Sequence, residues 1–430
     1  MKYFADHLPL QSKYIDYSTF QKSNYNFLKT FRKGTVNVID PTDTDLLAEL
    51  ENFCNKNKLT LVVHETPLFL TPKSALKEYV ETTKRPYFHK TFYAWQLKRL
   101  NVPGISKSYD TENRKSLPKS IQPPSLPKGD EETEYVHEAT KYVQTNFPKA
   151  FGNPETPMSY PITPSTARRW LHHFLETKLN KFGTYQDALS TATPTLYHSV
   201  LSSSINIGLL DPKEVLEETI VYCQKHNVGI NNYEGFVRQL IGWREYERML
   251  YLFYGQELRT SNYFNNQRKL PKKGWYLPDP EMGVGIEPLD NAIRQVYDTA
   301  YLHHIQRLMV VLNFMTLTEI SPDEIYRWFM ATTIDAYDWV MVGNVYSMGY
   351  ANPKTMTKPY ISGSNYILKM SGMTKSNREW TDIWDGLFYQ FILRHENQLP
   401  FYKRLLPAWR RKSEEERRRL KTLASKYLEI

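Results

Sequence analysis

A chain of 430 residues with 41% hydrophobic side chains has room for two domains and enough apolar surface for a large core, which excludes wholesale disorder. The 55 Lys and Arg against 46 Asp and Glu leave a formal charge of +9, and aromatics reach 14%. That balance suits a polyanion with stackable bases as well as it suits an ordinary solvated surface. Two cysteines, Cys54 and Cys223, stand outside any CxxC pair, which excludes a disulfide framework and a zinc or iron–sulfur centre made of cysteines. No apolar run nears the ~18 residues of a membrane-spanning helix. The opening MKYFADHLPLQSKY lacks the apolar stretch of a signal peptide, so the expected setting is a reducing cytoplasm without membrane attachment.

In chain order, residues 35–40 (TVNVID) and 59–63 (LTLVV) read as short strands around a helical stretch at 43–56. This is a βαβ fragment too small for a full doubly wound domain. A second helical stretch over 73–100 ends in the basic, aromatic run HKTFYAWQLKRL. Residues 103–133 carry Pro103, Pro118, Pro123, Pro124 and Pro127 among lysines and serines, the composition of a linker. From 134 onward the pattern is helical. The expected fold is therefore mainly α: a truncated α/β unit over 1–102, a linker over 103–133 and a helical domain over 134–430. Within it, Trp170, Leu171, Phe174, Leu175, Leu179 and Phe182 recur at helical spacing over 166–182, with Ser165 or Thr166 as N-cap. The tail RRKSEEERRRLKTLASKYLEI reads as a charged helix with a solvated face and i,i+4 Glu–Arg pairs.

Chemistry-bearing residues concentrate in three runs. The first is a helix expected over 291–317 and capped by Asp290. Ile293, Val296, Tyr297, Ala300, Tyr301, Leu308, Val311, Leu312 and Met315 form its inward stripe, and at 100° per residue His304 and Arg307 fall on that stripe. A buried guanidinium needs a partner, either a core carboxylate such as Asp335 or an acidic or polar ligand group. His303 lies 100° round from His304, which argues against a shared metal, and no HExxH pattern exists. The second run, YHSVLSSSINIGLL (197–210), offers hydroxyls at a helix start, where free backbone N–H groups favour phosphate. The third, RQLIGWREYERML (238–250), places Trp243, Arg244 and Glu245 on a helix as a half-buried indole beside charges.

Together the runs FGTYQDA (182–188), LYHSVLSSSINIGLLDP (196–212), EGFVRQLIGWREY (234–246), YLHHIQRLMV (301–310) and IDAYDWV (334–340) resemble the photolyase/cryptochrome superfamily. The resemblance is to its bacterial photolyase-related branch, which normally carries an iron–sulfur cluster. DTENRKSLPK (110–119) and TKPYISGSNYILKMS (357–371) match more weakly. The resemblance implies a C-terminal helical FAD-binding domain after a partial Rossmann-like antenna domain. It assigns the FAD pyrophosphate to His198, Ser199, Leu201 and Ser202, with Tyr185 flanking the cofactor. Arg244, Arg307 and Asp335 would hold the isoalloxazine, with Met341 and Asn344 counted among the cofactor contacts. Gln239, Trp243, His303 and His304 match positions lining a lesion pocket. Trp328 and Trp275 match aromatic stepping stones to the flavin.

The implied activity is light-driven splitting of UV-induced pyrimidine dimers in DNA by reduced FAD, with the (6-4) photoproduct favoured because a histidine suits its proton transfer. Cyclobutane-dimer repair, a cryptochrome-like light receptor and a flavin-free nucleic-acid-binding protein are the alternatives. A monomer is expected.

The chain departs from the branch's pattern in four places. The cluster-ligating cysteines are absent, GMTKSNREW standing where a CxxC is expected, so FAD without a cluster is the expected cofactor set. The chain begins part-way through the antenna domain, which leaves no expected place for the lumazine antenna contacts. Met341, in WVMVGN, replaces an acidic residue near flavin N5, and a thioether cannot take a proton there. Phe329 replaces the tyrosine that usually follows the relay tryptophan.

Overall fold

The computed structural model describes residues 1–430 other than 31–33, 84–87, 154–155, 157, 277–282, 357, 376–378 and 429–430. Residues 376–378 of the GMTKSNREW run therefore lie outside the described residues. The β-branched runs form strands Thr35–Ile39 and Thr60–His64, paired in parallel with Thr35 opposite Thr60. The helix Thr44–Lys56 makes the crossover, its N-terminus capped where Asp43 accepts from the Leu46 N–H at 2.9 Å. Leu50, Cys54 and Leu59 fill a small core beneath it.

The expected helix over 73–100 is instead two helices, Lys73–Thr82 and His89–Arg99. Residues 84–87 between them lie outside the described residues. Leu76, Tyr79 and Phe92 of these helices join the large helical core, not the small βαβ core. Arg248, fully buried, ties the two parts together by donating to the Thr71 carbonyl at 2.7 Å and pairing with Glu65 at 3.0 Å.

Helices dominate from Glu134 onward, as the pattern requires. The stripe from Trp170 to Phe182 is buried throughout, on two consecutive helices, Pro164–Thr177 and Leu179–Tyr185. Their cap is neither Ser165 nor Thr166. Thr163 accepts from the Thr166 N–H, and Pro164 takes the first helical position, where its missing N–H costs nothing. In the C-terminal tail, the helix Glu414–Ser425 is not wholly solvated. Leu420 and Ala424 are buried against the helix Glu379–Arg394, whose Gly386 leaves the space: a Cβ there would stand 2.4 Å from the Leu420 carbonyl oxygen.

The largest correction concerns 291–317. The helix runs from Glu287 to Thr299 and stops where Ala300 adopts the left-handed conformation at φ 51°. Asp290 is not its cap. Its carboxylate accepts from the N–H groups of Val284 at 2.6 Å and Gly285 at 3.0 Å, folding the preceding loop onto the first turn. The chain becomes helical again at His304 and passes through a π-helical stretch, Gln306–Leu312, into the helix Asn313–Leu317. The break resets the helical phase.

Candidate functional site

That new phase decides where the histidines point. His303 is 1% exposed and neither ring nitrogen has a hydrogen-bond partner. His304, expected on the buried stripe, is the exposed one. Desolvation and the neighbouring Arg307 nonetheless pull its imidazole down to about 4. The ring is exposed yet crowded by protein atoms, as a side chain at the edge of a crevice is. His304, Arg307, Leu308, Leu312, Phe329, Met341 and Asn344 line the same crevice.

Arg307 and Asp335 meet, one of the two kinds of partner that the sequence left open. The guanidinium donates to Asp335 Oδ1 at 2.7 Å and, through Nε, to the Leu302 carbonyl at 2.7 Å. Ser202 donates its hydroxyl to Asp335 Oδ2 at 2.6 Å, so that proton is not free for a phosphate. The Asp335 carbonyl accepts from Asn206 at 3.3 Å, and Asn206 Oδ1 accepts from Arg244 at 3.1 Å. Arg244 also donates to the Leu68 carbonyl at 2.8 Å, and its guanidinium lies 4.2 Å from the Phe69 ring centroid and 4.9 Å from that of Trp339. One polar chain thus joins residues 68, 206, 244, 307 and 335 from five separate segments. Burial lowers Arg244 to about 10, which still leaves it charged at neutral pH.

The serine-rich run forms only a five-residue helix, Ser202–Asn206, followed by a turn. It is too short to supply much of a dipole. The loop before it is strained instead: Leu196 has φ 45° and the β-branched Val200 has φ 55°. Between them His198 stacks on His303, ring centroids 4.5 Å apart at 11°, with its Nε2 unpartnered and its pKa drawn to about 3 by burial. Lys178 is 1% exposed, donates to the Leu196 carbonyl at 3.0 Å and is lowered to about 8 by burial. Leu201 is buried, Ser199 is partly accessible, and Tyr185 stacks on Tyr197 at 5.7 Å. Unpaired polar atoms buried around a strained loop are the signature of a site built for a polar ligand.

Gln239 donates to Gln186 at 3.4 Å, and Trp243 stacks on His89 with centroids 3.7 Å apart at 8°. Both sit on a π-helical stretch, Arg238–Trp243, a distortion frequent at functional sites. Gly242 lets His89 approach, since a Cβ there would lie 2.9 Å from His89 Nε2. Asn344 donates to the Val340 carbonyl, and Met341 is buried at the crevice wall. Behind Phe329, the Trp328 ring stands 5.1 Å away and Trp275 a further 5.7 Å beyond it. Asn206, Lys178 and His89 were not singled out in the sequence. Asn206 alone had a signal, lying four residues after Ser202 on the same helical face.

By its relatives the chain belongs to the photolyase/cryptochrome family. Residues 1–158 match the family described as "Deoxyribodipyrimidine photo-lyase-related protein". The "(6-4) photolyase" of Agrobacterium fabrum is 33% identical over 410 residues, covering 91% of this chain and 80% of that one. "Uncharacterized protein R855" of Acanthamoeba polyphaga mimivirus is 51% identical over 86 residues, 20% of this chain and 69% of its own. Among solved structures, a bacterial class III photolyase from Agrobacterium tumefaciens shares the fold, with a TM-score of 0.55 at 16% identity, over 97% of this chain and 83% of that one. No helix among the described residues is long and apolar enough to cross a membrane.

Proposed function

We propose that this chain is a photolyase that binds FAD and UV-damaged DNA and reverses pyrimidine dimers in light, with the (6-4) photoproduct as its lesion. The observation that carries this reading is the cleft in which the Arg307–Asp335 pair and His304 stand side by side, in a chain 33% identical to a (6-4) photolyase. The donor set fits a dinucleotide. Lys178, with one hydrogen bond, His198, with an unpartnered Nε2, and the Ser199 hydroxyl would take the pyrophosphate. Arg244, Arg307, Asp335 and Asn344 would meet the polar edges of the ring system. Reduced FAD, when bound, supplies the photoexcited electron.

The protein's own residues position and exclude. Asp335 fixes the Arg307 guanidinium, so its charge is already oriented when a ligand arrives. Phe329 and Met341 close the crevice with apolar surface. Trp328 and Trp275, both buried, form an aromatic path behind Phe329 of the crevice wall. Gln239 and Trp243 would meet the extruded lesion, for which unstacking costs least because it already pairs poorly. His304 is neutral in the free protein. The negative charge of a bound reduced flavin and DNA would raise its pKa. The imidazolium so formed would donate its proton to the lesion and be left as the neutral ring.

Gently purified protein is expected to carry stoichiometric flavin by absorbance and no iron by elemental analysis. His304→Ala is expected to abolish light-driven repair of a defined (6-4) lesion. Because the ring is exposed, its loss should change stability by no more than about 0.5 kcal/mol. Flavin content should persist, and damaged-DNA affinity should stay within about tenfold, or ~1.4 kcal/mol. Normal (6-4) repair by a folded His304→Ala variant would refute the proton-donor role. Wild-type protein that repairs cyclobutane dimers but not the (6-4) lesion would move the assignment to cyclobutane-dimer repair, which needs no such donor.

A further inference from the structure

Lys358 and Arg404 lean on one exposed ring. The Lys358 ammonium lies 4.7 Å and the Arg404 guanidinium 4.2 Å from the centroid of Phe401, which is 41% exposed. Lys358 is half-buried and Arg404 exposed, and neither makes an ion pair with a described carboxylate. Desolvation and the nearby charges of Arg114 and Arg404 depress the Lys358 pKa. Arg114 is paired with Asp110, but Lys358 and Arg404 stand together with no described carboxylate between them, and the fold bears their mutual repulsion. The assembly is rigidly mounted, because Tyr402 donates to the Pro359 carbonyl at 2.8 Å and the Ile361 carbonyl at 2.9 Å, locking the turn Pro400–Leu405 onto the segment that carries Lys358.

Its place in the molecule gives the arrangement a direction. Arg114 interacts electrostatically with both Lys358 and Asp187, and Asp187 follows Gln186, the partner of Gln239. The positive charge therefore continues from Lys358 through Arg114 toward the segment that holds Gln186 and Gln239. We propose that Lys358, Phe401 and Arg404 form a phosphate clamp that holds the backbone of the DNA strand flanking the flipped lesion. The proposal rests on the DNA-repair reading above. The ring keeps both cations in place, and they neutralise phosphates without reading sequence, so the clamp serves damaged and undamaged DNA alike.

The test is a salt titration of binding, by fluorescence anisotropy, to one duplex with a defined lesion and one without. Lys358→Ala/Arg404→Ala is expected to weaken both complexes roughly tenfold to thirtyfold at moderate salt. The slope of log K against log salt should become shallower by about 1.8, at ~0.9 per phosphate contact. Phe401→Leu keeps an apolar side chain and both charges but not the π-face, and should give a smaller loss with the slope nearly kept. The charge-keeping Lys358→Arg/Arg404→Lys should retain the slope, which separates lost charge from misfolding. An unchanged slope in the alanine variant, with wild-type binding intact, overturns the clamp alone. Wild-type protein that binds neither duplex overturns both the clamp and the DNA-repair reading.

Discussion

Glu247→Gln is expected to stabilise the protein, and to do so more as the pH rises. Glu247 is 3% exposed and neither carboxyl oxygen has a partner, so burial lifts its pKa from 4.5 to about 8. A carboxyl whose folded-state pKa is raised favours the native state fully only below the unfolded value. That contribution is lost steadily as pH climbs from about 4.5 to about 8, because the unfolded chain ionises first. Over that window the linkage amounts to about 3 kcal/mol by pH 7 and about 5 kcal/mol by pH 9. Glutamine keeps the shape and never ionises. Urea unfolding of both proteins at pH 5, 7 and 9 should show a gap that is small at pH 5 and widens upward. A gap that does not change with pH would mean that Glu247 is ionised or paired in the native state.

Gly343 belongs to the same argument. A Cβ at that position would stand 1.4 Å from Glu247 Oε2, so the carboxyl occupies the space the glycine leaves open. Gly→Ala within a helix ordinarily gains up to about 1 kcal/mol. Here the Glu247 carboxyl must swing aside first, which offsets that gain in part.

The sequence carried much of this site, and where it did not, the reason is tertiary. The Arg307–Asp335 pair was foreseeable because a guanidinium among apolar residues needs an anion wherever the chain finds one. The orientation of His304 was not. It hangs on Ala300 taking a left-handed φ, which an alanine in an otherwise helical pattern does not signal. His303, expected off the inward stripe, is the buried ring for the same reason, and it meets His198 only because two distant segments pack together. The five-residue helix at Ser202 had a hydroxyl pattern that suggested a longer one. Lys178 read as an ordinary lysine between two helices, and its burial under the Leu196 carbonyl comes from the strained loop. The strands at 35–39 and 60–64 were legible because β-branched residues alternate around a capped helix.

Asp335→Ala should be the most damaging single substitution in the cleft. The Arg307 and Asp335 side chains are 15% and 10% exposed, and the carboxylate accepts from both Arg307 and Ser202. Its removal leaves a nearly buried guanidinium held only by the Leu302 carbonyl. Breaking such a pair from one side costs about 3–5 kcal/mol, most of it the penalty of the stranded charge. Asp335→Asn, which keeps one acceptor oxygen, should cost less. The link to Asn206 runs through the Asp335 backbone carbonyl and survives either change, so the loss belongs to the side chain. Stability and ligand binding separate in the double variant Arg307→Met/Asp335→Ala. Replacing both charges with apolar groups is often close to neutral, so urea unfolding should recover most of the lost stability. Flavin content should not recover, because the oriented charge that would meet the ring system is gone. If the double variant regains stability and also retains stoichiometric flavin, the pair serves the fold alone and the cofactor is held elsewhere.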